Sequence, residues 1–166
     1  LHRDAAAVAQ NIDHRGLKTG ADVGNADVLL RDLAHRYAYA VDRRDAAALV
    51  PLFTADGAVR GYGTNPIDYT GAARLAAMMD DVSMFEMTMH NVFNQLFERD
   101  ADGTVSGITY CVASHLLPGD APMLVDMAIW YHDRYAQEGG TWKFAERRLE
   151  VRWTENRPAR RFDPAM

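Results

Sequence analysis

Two histidines in β-type segments and one arginine among apolar neighbours are the residues of this 166-residue chain best placed for proton transfer or anion binding. His90, in MTMHNVFNQ, and His115, in CVASHLL, lie on long segments joined by a short turn, so their strands run side by side and the rings can share a face. An imidazole of ordinary pKa, about 6.5, accepts a proton at neutral pH; a buried carboxylate on its other nitrogen fixes the tautomer and stabilises the imidazolium. Neither histidine sits in HExxH or a facial histidine–carboxylate spacing, so no metal is assigned. Alternation around His90 opposes a buried role: Phe85, Met87, Met89, Phe93 and Phe97 make the odd face the more apolar one, which directs His90 away from a core. A strand histidine also serves readily as a structural residue. His2, His14, His35 and His132 have no distinctive context and read as surface or structural groups.

Arg147 raises the converse question. In the last long segment the odd positions Ala145, Leu149, Val151 and Trp153 are apolar and the even ones, Glu146, Arg148, Glu150 and Arg152, are charged, so the odd face looks inward and carries Arg147 with it. Such an arginine needs an anionic or polar partner, or must snorkel to solvent. Met123, Val125, Met127, Ile129 and Tyr131 share one face of the preceding segment. Met127, Ile129, Tyr131, Leu149 and Trp153 are therefore expected to line a substrate pocket.

These residues must be held by elements that the pattern outlines. Leu29, Leu30, Leu33, Tyr37, Ala40 and Val41 recur at helical spacing, with N-cap chemistry at Asn25 and Asp27. A second short helix is expected over 46–53, capped by Asp45, followed by a turn at Asp56–Gly57, a strand over 58–62, a Gly- and Pro-containing loop and helix-forming residues 71–79. Residues 85–98, 105–117, 123–135 and 142–153 are rich in Val, Ile, Thr and aromatics and read as strands. Short separators (DADG, PGDAP, EGG) join them as antiparallel neighbours. Helices first and strands afterwards give an α+β fold, a curved antiparallel sheet around the helices. Gly16, Gly20 and Gly24 read as linker flexibility, and the domain plan is an extension over 1–25, the folded domain over 26–155 and a tail over 156–166.

Composition narrows the partners. Eighteen Lys and Arg against 23 Asp and Glu give a net charge of −5, which argues against nucleic acid and anionic membranes, both of which need a basic surface. No stretch reaches the roughly 18 apolar residues that span a bilayer. One cysteine, Cys111, excludes an internal disulfide framework and a cysteine-built zinc site, and suits a reducing, cytoplasmic setting.

LLRDLAHRYAYAVDRRDAAALVPLFTADGAV, TMHNVFN, YCVASHLL and WKFAERRLEVRW together resemble the nuclear transport factor two-like superfamily, and within it the SnoaL-like and scytalone dehydratase-like branch that includes lindane dehydrochlorinase and bile acid 7α-dehydratase. The resemblance spans about residues 26–155. Its most specific piece pairs Asp42 of AVDRRD with His90 of TMHN, with Tyr37 five residues before the aspartate. It implies a cone-shaped α+β barrel (cystatin-like) whose interior holds the Asp42–His90 dyad; a bulge or a sheet covered on both faces would reconcile that with the parity around His90. By position, His115 matches the second strand histidine of scytalone dehydratase and Arg147 the arginine of the dehydrochlorinase.

The resemblance implies a cofactor-independent lyase, a dehydratase acting on a hydroxylated cyclic or polycyclic ketone such as a polyketide, steroid or aromatic metabolite. His90 would abstract a proton, Asp42 orient it, Tyr37 or His115 donate a hydrogen bond to the departing hydroxyl or the enolate, and Arg147 hold an anion or the leaving group. The partner is then a small hydrophobic organic substrate, with no metal, nucleotide or flavin required. An isomerase or cyclase with the same dyad, and a noncatalytic ligand-binding or structural subunit of the same fold, remain alternatives. The apolar odd face of 85–97 is expected to pack in a homodimer or homotrimer.

Overall fold

The helical period of the first third and the β-branched, aromatic composition of the last half produce an open, curved six-stranded sheet wrapped around the helices. The computed structural model describes residues 20–61 and 66–162, with side chains from residue 26 onward. Helix α1 runs Gly20–Asp42. It begins upstream of the expected cap, so Asn25 and Asp27 lie inside it, and Gly20 and Gly24 belong to the helix and not to a linker. Extending a nucleated helix by a turn is cheap, and Asp27 instead accepts a hydrogen bond from Arg99 Nη2 at 2.8 Å. Gly16, His2 and His14 lie outside the described residues.

Helix α2 (Ala46–Leu49) starts under Asp45, whose Oδ1 accepts from the Ala48 N–H at 2.9 Å, and passes into a 3₁₀ turn at Val50–Leu52. Strand β1 (Phe53–Gly61) begins earlier than expected: Asp56 and Gly57 lie in a bulge within it. A Cβ at Gly57 would stand 2.8 Å from Phe53 Cβ and 2.9 Å from the Phe144 oxygen, so only glycine fits there. Ile67–Thr70, expected as loop, forms the short strand β2; helix α3 (Ala72–Val82) follows.

Strands β3 (Met87–Arg99), β4 (Val105–Leu116), β5 (Met123–Glu138) and β6 (Thr141–Pro158) form the expected antiparallel meander. The sheet order is β2-β1-β6-β5-β4-β3. One pair departs from the expectation, since β1 joins β6 in parallel and sets the first strand beside the last. Leu30, Leu33, Tyr37 and Val41 of α1 pack with Leu49, Leu75, Met78, Ile129, Tyr131 and Phe144 into the core. Each fully buried aliphatic side chain of this kind contributes about 1.5–3 kcal/mol relative to exposure.

Register decides which side chains face that core. β4 and β5 pair without interruption from Val105↔Tyr135 to Leu116↔Leu124, and their buried odd residues define the inner face. On β3 the register shifts between Val92 and Gln95, where two residues oppose only Tyr110. That bulge inverts the parity: Thr88, His90 and Val92 face inward before it, Gln95 and Phe97 after it. Met87, Met89 and Phe93, the supposed core face, are exposed. Bulges at Ala145 and Arg152 do the same on β6, bringing Phe144 inward in place of Ala145 and turning Trp153 outward opposite Ala128. Trp153 is 65% exposed and is removed from the expected pocket lining.

Candidate active site

Asp42 is the last residue of α1, and β3 crosses beside it. Helix termination is what brings the carboxylate round to the sheet: Tyr37 and Asp42, five residues apart, lie about 140° from one another around an ideal helix axis. The Arg44 N–H bonds to the Val41 carbonyl at 3.0 Å and the Asp45 N–H to the Ala40 carbonyl at 2.9 Å, closing the helix with Arg44 at φ +55°.

The carboxylate then meets three donors from β3. His90 Nδ1 lies 2.7 Å from Asp42 Oδ1, the His90 backbone N–H donates to Oδ2 at 2.9 Å, and Thr88 Oγ1 donates to Oδ1 at 2.9 Å. Thr88 and His90 both face inward because they are two residues apart on one strand. Burial opposes ionisation of Asp42, yet the hydrogen bonds from His90, its charge and the Thr88 hydroxyl outweigh burial and hold the carboxyl below its ordinary range. An ionised Asp42 can only accept, so Nδ1 of His90 carries the proton and Nε2 is left as the basic nitrogen; the tautomer follows from the partner. The pair is partly open, with 22% of the Asp42 side chain and 8% of the His90 side chain exposed.

His115 faces the same interior, its ring centroid 6.0 Å from that of His90 and 4.5 Å from the Phe85 ring. Burial first, then the neighbouring His90, pushes its pKa below the usual histidine value. Its Nδ1 is 3.3 Å from the Val125 carbonyl, which can only accept, so neutral His115 presents Nε2 as an acceptor. Tyr37 stands edge-on to His90 at 6.5 Å, and burial pushes its phenol well above the ordinary value, so it remains a proton donor.

Arg147 sits deeper, enclosed by the rings of Tyr37, Tyr131 and Phe144 at 4.3 to 4.5 Å from its Cζ. The anionic partner that its position demanded is Asp133: Nε donates to Oδ1 at 2.9 Å and Nη2 to Oδ2 at 2.8 Å, a bidentate pair. Thr109 Oγ1 and Tyr135 Oη, each at 3.1 Å, also donate to Oδ2. Arg147 thus holds an anion of its own chain, and Asp133 is a residue that sequence reasoning missed. Folding β5 on β6 about Gly139–Gly140 without interruption would set residue 133 opposite 146; the bulge at Ala145 advances the register by one and brings Asp133 opposite Arg147, which is why the pair was hidden. Thr88 was missed as well, although it shares parity with His90.

Met127, Ile129, Tyr131 and Leu149 lie on the inner face as expected, Ile129 and Tyr131 fully packed and Met127 and Leu149 partly open. Cys111 is buried there too, and burial pushes its thiol up to about 12, out of range for a nucleophile at neutral pH. Two surface hollows lie elsewhere, one of about 670 Å³ on the outer side of the sheet near His132 and Arg134, the other of about 480 Å³ beside Pro122 and Pro158. His132 is on that outer side, 2.7 Å from Glu150, and His35 is exposed on α1.

The sequence model of the SnoaL-like domain family matches residues 26–148. No curated protein matches by sequence. Among solved structures the fold superimposes on hexachlorocyclohexane dehydrochlorinase LinA-type3 from Novosphingobium barchaimii LL02 with a TM-score of 0.75 and 20% identity, covering 88% of this chain and 99% of that one. A candidate scytalone dehydratase from Novosphingobium aromaticivorans gives 0.71 and 21%, over 87% and 96% of the two chains. ActVI-ORFA from Streptomyces coelicolor gives 0.64 and 18%, over 77% and 98%. At these identities the likeness is one of fold.

Proposed function

The chain belongs to the SnoaL-like domain family, and from that premise and the Asp42–His90 geometry we propose that it is a cofactor-independent lyase that dehydrates a hydroxylated cyclic or polycyclic ketone. The observation that carries this reading is the 2.7 Å contact between His90 Nδ1 and an Asp42 that also accepts from the His90 N–H and the Thr88 hydroxyl of β3, leaving Nε2 as a directed base. Structural neighbours described as a dehydrochlorinase and a candidate scytalone dehydratase lend support at the level of reaction class.

In the proposed cycle His90 Nε2 takes the proton from the carbon beside the substrate carbonyl, and the C–H electron pair moves onto the carbonyl oxygen as an enolate. The enolate collapses to an enone, breaking the C–O bond of the β-hydroxyl. That oxygen takes the proton back from the His90 imidazolium and departs as water, returning His90 to neutrality. Asp42 stabilises the imidazolium through Nδ1, and Tyr37 donates to the enolate oxygen. His115, neutral and presenting an acceptor, orients a substrate hydroxyl. Arg147, committed to Asp133, acts through the Tyr37 ring it stacks on and does not reach for the leaving group. Isomerisation needs only that the proton return to a different carbon.

The test is enone formation from a panel of cyclic β-hydroxyketones, followed by absorbance, for the natural chain and His90→Ala. Loss of turnover with an unchanged circular dichroism spectrum supports the reading; full activity in His90→Ala refutes it. The exposed Met87, Met89, Phe93 and Leu96 of β3 fit burial against a second copy, and light scattering distinguishes a homodimer or homotrimer from a monomer.

A further inference from the structure

We infer that Arg44 is a positioning residue for the dyad, clasping the end of α1 to the segment that enters β3. Its backbone sits at φ +55°, in the left-handed region that glycine occupies without steric cost, and among the described residues it is the one non-glycine to do so. A helix stop at this place needs no side chain. The arginine side chain does something separate, since its Nη2 donates to the Phe85 carbonyl at 2.7 Å and its Nη1 reaches the Asp42 carbonyl at 3.4 Å.

The clasped residues are those that decide the site. Asp42 supplies the carboxylate; three residues beyond Phe85 come Thr88 and then His90, both bonded to that carboxylate. The Phe85 ring lies 4.5 Å from His115, so one guanidinium fixes the approach of β3 to Asp42 and the packing of the second histidine. The next residue, Glu86, bonds through its N–H to the Leu116 carbonyl at 2.8 Å, which fixes the β4 side of the same segment. Without the clasp, the side-chain hydrogen bonds that join the α1 end to the start of β3 among the described residues are those that Asp42 accepts from Thr88 and His90. A displacement of about 1 Å is enough to spoil proton-transfer geometry. Lysine, a point donor on a flexible stem, cannot reproduce the planar fork that reaches two carbonyls.

The inference rests on the dyad reading, and its test uses the free protein so that the two fail separately. In protein carrying ¹⁵N-histidine, the Nδ1 proton of His90 is assigned as the downfield imidazole resonance absent from His90→Ala, and its exchange with water is measured in Arg44→Gly and Arg44→Lys. Arg44→Gly relieves the backbone and is expected to melt at an equal or higher temperature, yet to exchange that proton about tenfold faster or more, with a shifted His115 ring signal; Arg44→Lys is expected to recover only part of the protection. Should the glycine variant not fold, Arg44→Asn, which also tolerates positive φ, carries the same measurement. A resonance present in the natural chain and unchanged in exchange on loss of Arg44 overturns the clasp alone and leaves Arg44 as a helix stop. Its absence from the natural chain overturns the dyad and the clasp with it.

Discussion

Asp133 and Asp42 are both inward-facing carboxylates bound to a basic side chain, and the contrast between them separates structure from chemistry. Asp133 accepts four hydrogen bonds from Arg147, Thr109 and Tyr135, and the side chains of the ion pair are 0% and 1% exposed. Burial opposes the charge on Arg147, but Asp133 more than compensates and the guanidinium never deprotonates. Asp42 meets a histidine instead, whose second nitrogen stays uncommitted, at the partly open end of the same interior. One carboxylate anchors a permanent cation; the other orients an imidazole ring through Nδ1.

The sharpest way to break the comparison is to neutralise each carboxylate. Asp133→Ala strands a fully buried arginine and is expected to cost about 3–5 kcal/mol in urea unfolding, enough to unfold a marginal domain. Asp42→Asn is expected to cost about 1 kcal/mol in the same experiment, because its partners retain access to water. Equal losses would erase the distinction. For turnover the order reverses: His90→Ala is expected to lower kcat about 10²- to 10⁴-fold, with the melting temperature kept within a few degrees.

A smaller effect sharpens the contrast through pH. The folded pKa of His115 lies below its unfolded value, so the unfolded chain binds the proton more readily. Stability is therefore full above about pH 6.5 and declines as pH falls from there toward the depressed folded value. His115→Phe should flatten that part of the pH–stability curve, measured by urea unfolding between pH 8 and 5. Asp42 acts in a separate window: its folded pKa is depressed, so its contribution is present above about pH 4 and is lost as pH falls further, through the folded value. The smallest expected change comes from Gln95, whose Nε2 is buried without a hydrogen-bond partner. Gln95→Leu is expected to raise stability by up to about 1 kcal/mol, read from the urea midpoint.

Much of this arrangement was legible in the sequence. The four long strands and the helix carrying Tyr37 and Asp42 follow from period and turn chemistry, and the need of Arg147 for an anion followed from its parity alone. What parity misjudged was the side of β3: one extra residue at Phe93–Asn94 turns His90 inward while leaving Met87, Met89 and Phe93 exposed, and a bulge has no compositional mark in this strand. The same failure on β6 misplaced Trp153. The Asp42–His90 pairing was reachable only through resemblance, because contacts 48 residues apart depend on where a helix stops and where a strand crosses it. The φ of +55° at Arg44 was equally hidden, since DRRD carries no glycine to announce a left-handed turn.

The most direct test of the central claim that His90 is the proton-abstracting base is exchange at the carbon beside a ketone carbonyl. A cyclic hydroxyketone turned over by the natural chain is incubated in D₂O and its α-proton signal followed by NMR. The account predicts protein-catalysed loss of that signal, slowed about 100-fold or more in His90→Ala. Equal exchange in the two proteins would contradict it.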